Sequence, residues 1–383
     1  MIFFNKPFLG KIEIRNITRV LKSKILCDGP FQRKVEQIIK KKINSKFVAV
    51  TQSCTDALEL SALLINIKDG DEIILPSYTF TSTANAFALR GAKLKFCDIS
   101  EKNLSIDLKK LEKMITKKTK AVVIVHYGGI CLDLSNIVRL KKKYKFYLIE
   151  DCAHSFLAKN HNNYAGSFGD LATFSFHETK NIVAGQGGVI SINNTKLIKT
   201  ANHLLDKGTN RIDFLKSHKT QCIKETKKLK FYSWVSLGSE FRASEIVSSL
   251  IFSQIKQFNK IHDMRKKIWS KYYRYVEKIN DKRIQNLKNL NLEGSVFHLF
   301  VVLANSERTA KNIREFLQKR KIPATFHYVP LHSSKFGKKY ISKNLTITNK
   351  IWKRVIRLPL YPELKDKQIN FILKNLKKSI NYN

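Results

Sequence analysis

Paired cysteines, long apolar runs and acidic residues are what this chain has least of. Its six cysteines (Cys27, Cys54, Cys97, Cys131, Cys152, Cys222) include no C-x-x-C pair and no metal-ligand spacing. That pattern excludes a zinc knuckle and offers no disulfide framework. Several of them lie in apolar strand-like runs and read as reduced, buried thiols of a cytoplasmic protein, with no bound metal. No apolar stretch approaches the ~20 residues of a membrane-spanning helix. The segment from Met1 to Pro7 is too short for the core of a signal peptide. Internal repeats and low-complexity linkers are also missing.

Asp and Glu number 30 against 71 Lys and Arg, for a formal net charge of +41. Such an excess can mark nucleic-acid or anionic-surface binding. Here the basic residues are scattered: Lys141-Lys142-Lys143, Lys227-Lys228 and Lys338-Lys339 lie in separate segments and form no basic tail. The excess therefore reads as compositional drift with no specific nucleic-acid partner. What it leaves is a positive field that favours an anionic nucleotide substrate.

The 383 residues are enough for two domains, a large one over 1–260 and a smaller one over 261–383. Apolar runs at Phe47–Thr51, Glu72–Leu75, Lys93–Cys97, Ala121–His126, Phe146–Glu150, Ala172–Phe176 and Val189–Ile192 read as strands. Amphipathic stretches such as Thr55–Ile67 and Leu108–Ile115 lie between them. Near-continuous Val/Ile/Leu strands with helical crossovers predict an α/β fold with a mostly parallel sheet covered on both faces. Ligands of such sheets collect at the carboxyl ends of the strands. From about Ile255 the pattern changes. A charged helix over Gln257–Ile279 leads into a small α+β region, with strands at His298–Leu303 and Thr325–Val329 and helices at Thr309–Arg320 and Asp366–Asn375.

Four loop ends carry the candidate chemistry. In Ser175-Phe176-His177-Glu178-Thr179-Lys180-Asn181, Lys180 stands between an apolar run and the glycine-rich Gly185-Gln186-Gly187-Gly188. A lysine in a partly desolvated cleft has a lowered pKa and can act as a nucleophile or Schiff-base former. The apolar strand ending Glu150-Asp151 puts a carboxylate at the sheet edge, where Asp151 either caps the next helix or holds a pyridine nitrogen. In Ser53-Cys54-Thr55, small polar residues open a helix, as an N-cap or as a phosphate site. In Pro76-Ser77-Tyr78-Thr79-Phe80, Phe80 is either core or a cover for a flat ring.

Together these segments resemble the DegT/DnrJ/EryC1/StrS sugar aminotransferases, fold-type I pyridoxal-phosphate enzymes. The resemblance runs from Phe4-Asn5-Lys6-Pro7 to Arg357-Leu358-Pro359-Leu360 and includes Lys207-Gly208-Thr209-Asn210-Arg211 and Phe326-His327-Tyr328-Val329-Pro330-Leu331-His332. It implies that Lys180 is the Schiff-base lysine and that Asp151 faces the pyridine nitrogen. By the same token Phe80 covers the ring, while Thr55, Ser175 and the backbone at Cys54 bind the phosphate. His154 stands where the family usually has glutamine near the ring hydroxyl, and Glu240 where many members have asparagine. Arg211, Tyr328 and His332 are the implied substrate contacts; for Tyr328 and His332, packing at the domain seam is the equal alternative. The motifs are most similar to the branch that aminates C4 of TDP-4-oxo-6-deoxy-D-glucose with L-glutamate. A homodimer is implied as well. Another oxo-sugar nucleotide, 3-oxo or UDP-linked, is the alternative substrate.

Overall fold

The computed structural model describes residues 1–219, 231–287, 292–340 and 345–382. Its main strands are β1 (Phe47–Thr51), β2 (Glu72–Pro76), β3 (Lys93–Cys97), β4 (Thr119–Val125) and β5 (Tyr147–Asp151). A two-residue-arm hairpin, β6 (Lys159–Asn160) and β7 (Asn163–Tyr164), precedes β8 (Leu171–Ser175) and β9 (Gly188–Ile192). Seven of these form one sheet in the order β1-β9-β8-β5-β4-β2-β3. Only β9 runs against its neighbours; the pairs β2–β3, β2–β4, β4–β5 and β5–β8 are parallel. All seven strands expected from the apolar runs are present, and β8 and β9 are buried along their whole length. Burial on both faces is why their sequences lack alternation.

Because β1, β2, β4, β5 and β8 share one direction, their carboxyl ends open on the same edge. Thr51, Pro76, Val125, Asp151 and Ser175 end them there. The helix after β1 spans Cys54–Leu64. It is capped by Ser53, whose Oγ accepts the Asp56 N–H at 3.0 Å. Leu58 and Leu60 of this helix and Phe87 of helix Thr81–Ala88 share one core with Ile73 and Leu75 of β2 and Ala121 and Val123 of β4.

The 22-residue helix Phe258–Ile279 leads into a second core. There an antiparallel sheet of β10 (Ile284–Asn286), β11 (Phe300–Ala304) and β12 (Val355–Leu358) packs under helices Glu307–Lys319 and Asp366–Ser379. Ile268, Tyr272, Val302, Ile313, Ile356 and Ile372 fill it. One expectation fails: Thr325–Val329 is not a strand. Thr325 exchanges both backbone hydrogen bonds with Arg357, and pairing stops there. The chain then leaves the sheet, so that His327 and Tyr328 turn their rings onto Tyr127 and His154. Pro330 closes the segment without an N–H to donate.

Candidate active site

A cavity of about 510 Å³ lies at the carboxyl edge of the large sheet, between it and the C-terminal core. Lys180, Asp151, His154, Ser175, Cys54, Thr55, Phe80 and Tyr328, eight of the ten residues singled out in the sequence, line it.

The acidic pair at the end of β5 divides its labour by the alternation of a strand. Asp151 faces the cavity. Its Oδ2 accepts the Thr83 hydroxyl at 2.7 Å, and its Oδ1 accepts the Ala153 N–H at 3.0 Å. Glu150 faces the opposite side and is fully buried. Its Oε2 accepts Gly166 N–H at 2.8 Å and His126 Nε2 at 2.9 Å, and its Oε1 accepts the N–H groups of Phe168 and Gly169 at 2.8 and 2.6 Å. The Leu132 N–H points at His126 Nδ1, so that nitrogen is the acceptor and Nε2 carries the proton. His126, Glu150 and Cys152 lie close enough to suggest metal ligands. The histidine and carboxylate atoms are already committed, and burial pushes the Cys152 thiol well above its ordinary value. The cluster is a structural hub.

At the start of helix Cys54–Leu64, the cap role falls to Ser53, which leaves Thr55 free to donate its hydroxyl to Ser82 Oγ at 2.9 Å on the cavity wall. Ser175 lies alongside. Gly188, which opens β9, packs so closely on this turn that a Cβ there would overlap the Ser53 carbonyl and the Cys54 nitrogen. The turn's free N–H groups and the positive end of the helix make this end of the cavity attractive to a phosphate.

Lys180 follows a turn in which its N–H donates to the His177 carbonyl at 2.9 Å. Burial lowers the proton affinity of its amine; Cys54 and Asp151 act against that shift and Arg357 adds to it. Next to it, Asn181 donates Nδ2 to the Val296 carbonyl at 2.6 Å, so its Oδ1 meets His298 Nδ1 at 2.7 Å. Across the cavity, His154 stacks on His327 with centroids 5.7 Å apart, and its Nε2 is 3.2 Å from the Tyr328 hydroxyl. Gly128 N–H points at His154 Nδ1, at 3.4 Å, which places the proton on Nε2 toward Tyr328. Burial, then the positive charge of Lys180, hold His154 well below the ordinary histidine range, and burial does the same to His298 and His327.

Two expected substrate residues lie elsewhere. Arg211 is held in a fork by Asp206, with both contacts at 3.0 Å, and faces a separate cleft beside Asp28 and Arg242. His332 spends Nδ1 on Ser77 Oγ at 2.6 Å and Nε2 on Asn349 at 2.8 Å, outside the cavity lining. Glu240 pairs with Lys207, both half-exposed. Cys222 and Lys227-Lys228 lie outside the described residues. The cavity also takes in Phe4, Thr83, His298, His327 and Arg357. His327 stood inside a segment already singled out, Phe4 and Arg357 at the two ends of the resemblance, and Thr83 three residues past Phe80. His298 sits in an apolar run that reads only as a strand, and no local signal marks it.

Similarity to known proteins agrees with this geometry. The chain is 30% identical over 390 residues to uncharacterized protein MJ1066 of Methanocaldococcus jannaschii, covering 99% of this chain and 97% of that one. It is 29% identical over 378 residues to the UDP-4-amino-4,6-dideoxy-N-acetyl-beta-L-altrosamine transaminase of Campylobacter jejuni, covering 97% and 96%. Among solved structures, Helicobacter pylori PseC, an aminotransferase involved in the biosynthesis of pseudoaminic acid, superposes with a TM-score of 0.87 at 25% identity over 99% of both chains. With residues 7–377 matching its pattern, the chain belongs to the DegT/DnrJ/EryC1/StrS aminotransferase family, pyridoxal-phosphate enzymes that aminate sugar nucleotides.

Proposed function

We propose that the protein moves the amino group of L-glutamate to C4 of TDP-4-oxo-6-deoxy-D-glucose, giving TDP-4-amino-4,6-dideoxy-D-galactose and 2-oxoglutarate. The observation that carries this reading is the sharing of one cavity by Lys180 and Asp151, near enough for the carboxylate to act on the lysine's proton affinity. The residues present fit pyridoxal phosphate. Asp151 is the carboxylate for the pyridine nitrogen, and Phe80, 58% exposed at the cavity mouth, is free to cover a ring. The Cys54 backbone, Thr55 and Ser175 would hold the phosphate, Lys180 the aldehyde carbon, and His154 Nε2–H the ring hydroxyl. Bound there, the cofactor supplies an electron sink for the carbon bearing the transferred nitrogen.

The chain's own contribution is proton handling and placement. Burial raises the free-amine fraction of Lys180, so Nζ can take the proton from the α-carbon of the donor and deliver one to C4 of the sugar. Thr83 and the Ala153 N–H fix the Asp151 carboxylate. Of the three expected substrate contacts, we retain Tyr328 for this cavity. Residues 1–260 and 261–383 act as large and small domains of a cytoplasmic homodimer. Exposed Phe231, Trp234 and Leu237, at 82%, 73% and 66%, support a partner surface. Among the described residues no helix is long and apolar enough to cross a membrane.

The Campylobacter relative's UDP-linked 4-amino product favours a second reading, in which the 4-oxo sugar carries another nucleotide. Incubation with L-glutamate and TDP- or UDP-linked oxo-sugars, followed by NMR location of the new amine, decides between them. An amine at C3, or turnover of UDP-sugars alone, would overturn the TDP-4-oxo assignment. Lys180→Ala should lose the visible cofactor band that borohydride abolishes in the unaltered protein.

A further inference from the structure

Helix Phe258–Ile279 carries four side-chain donors, His262, Arg265, Trp269 and Tyr272, at spacings that put them on one face. Three of them run along residues 295–299, the stretch that leads into β11. His262 Nε2 donates to the Ser295 carbonyl at 3.1 Å. Arg265 donates Nε to the Phe297 carbonyl at 3.1 Å and Nη2 to the His298 carbonyl at 2.7 Å, and Trp269 Nε1 donates to Leu299 at 3.0 Å. Tyr272 reaches past them to the Pro359 carbonyl at 2.9 Å. From the other side the Gly129 carbonyl accepts the Val296 N–H at 2.9 Å and the Ser295 hydroxyl at 3.2 Å. A Cβ on Gly129 would lie only 2.8 Å from the His298 nitrogen, so the stretch is held tightly on both edges.

What this stretch fixes is the residue after the Schiff-base lysine. Asn181 is gripped at both ends of its amide: Nδ2 donates to the Val296 carbonyl, and Oδ1 accepts from His298 Nδ1. Between those two contacts Phe297 has φ +49°, a left-handed conformation that a bulky residue keeps only when its surroundings impose it. The Arg265 guanidinium binds the carbonyls of Phe297 and of the residue that follows it.

Arginine is a costly side chain for this place. Arg265 is 1% exposed, and Nη1 finds no acceptor among the described residues. Burial, with the nearby charge of Arg357, pushes its pKa down to about 9, and no carboxylate offsets that. At neutral pH it is a buried cation without a counter-ion, which is unfavourable. Trp269 and Tyr272 cap their carbonyls with uncharged donors. What a guanidinium adds is a rigid planar fork, which fixes two successive carbonyls at once. Its charge also joins burial and the charges of Lys180 and Arg357 in holding His298 well below the ordinary histidine range, so the ring stays neutral beside the lysine.

We propose that Arg265 is a positioning residue: through the Phe297 and His298 carbonyls it locks His298 and Val296 onto Asn181, and so sets where the Lys180 amine stands. It does not line the cavity and acts only through these neighbours. This role rests on the reading of the cavity as an aminotransferase site.

Arg265→Lys keeps a charge and a donor but loses the fork, and Arg265→Met loses both. In loaded protein, single turnover with L-glutamate should slow about 10-fold in Arg265→Lys and about 100-fold in Arg265→Met, with half-saturating glutamate moving less than about 3-fold. Asn181→Ala should slow it as well. The Arg265→Lys/Asn181→Ala double variant should be no slower than the slower single one, because both changes break one path. In cofactor-free Arg265→Lys, hydrogen exchange should quicken at 178–184 as well as at 295–299. An unchanged rate in Arg265→Lys, losses that multiply in the double variant, or exchange that quickens at 295–299 alone overturns the positioning role. Arg265→Lys decides the matter by itself should Arg265→Met not fold. No glutamate response in the unaltered protein overturns the aminotransferase reading, and exchange at 178–184 then decides whether Arg265 holds the Asn181 turn.

Discussion

Glu150 and Asp151 are adjacent carboxylates, and the structure predicts opposite outcomes for neutralising them. In Glu150→Gln the shape is kept, but one carboxylate oxygen becomes an NH₂ group. If the amide oxygen takes the Oε2 place, the NH₂ faces the N–H groups of Phe168 and Gly169; if it takes the Oε1 place, it faces Gly166 N–H and His126 Nε2–H. His126 cannot adapt by moving its proton, because Nδ1 already accepts from Leu132. Either way two charge-assisted hydrogen bonds are lost at about 1.5–3 kcal/mol each, so the variant should be destabilised by about 3–6 kcal/mol. In Asp151→Asn the carbonyl can keep the Ala153 N–H while the NH₂ donates to Thr83 Oγ1, whose own proton turns to Thr79 Oγ1, 2.9 Å away. Stability should therefore change by less than about 1 kcal/mol. Activity should fall about 100-fold or more, since the charge facing the pyridine nitrogen is gone. Urea denaturation of both cofactor-free variants, read at constant slope, gives the first quantity, and single-turnover rates give the second. A Glu150→Gln midpoint within about 1 kcal/mol of the unaltered protein would refute the hub, and a fully active Asp151→Asn would refute the division of labour.

His154, His298 and His327 all titrate well below the ordinary histidine value of 6.5 because they are buried, so the unfolded chain binds their protons first. Stability is then complete above about pH 6.5 and falls below it, by up to ~1.4 kcal/mol per pH unit for each histidine; His154→Gln should flatten the slope of denaturation midpoints between about pH 5 and 6.5. Lys180 is also depressed, so the cofactor-free protein gains stability as pH rises toward ~10.4, and Lys180→Met should be the more stable form at neutral pH, with its lead shrinking above about pH 10 in thermal melts. Gly188→Ala, whose methyl overlaps the Ser53–Cys54 turn, should cost about 1–3 kcal/mol of stability and weaken cofactor binding in equilibrium titration, while a neutral result would show that the turn can move aside.

The sequence by itself determined the strands: most are buried on both faces and so apolar along their length, the edge strand β3 alternates lysine with apolar residues, and all seven runs proved to be strands of one sheet. It also pointed to the strand ends as the candidate site, since Asp151, Thr55, Ser175 and Lys180 sit just where apolar runs stop and loops begin, and the cavity takes in all four. It overreached at Thr325–Val329, where β-forming residues serve a loop that turns His327 and Tyr328 into the cavity. Only the tertiary structure decided what meets them. His298 reads in the sequence only as the start of a strand, and Phe4 and Arg357 only as the two ends of the resemblance, with no role attached. Their place in the cavity comes from the docking of the C-terminal core against the large sheet, with the Phe4 carbonyl bound to Leu360 N–H and Asn5 bound to Glu178. Arg211 shows the converse: a promising motif side chain claimed by a neighbour five residues away, Asp206. Local pattern records what a segment is made of. Which distant side chains share a desolvated space, and which charge is left there without a partner, is settled only when the segments pack.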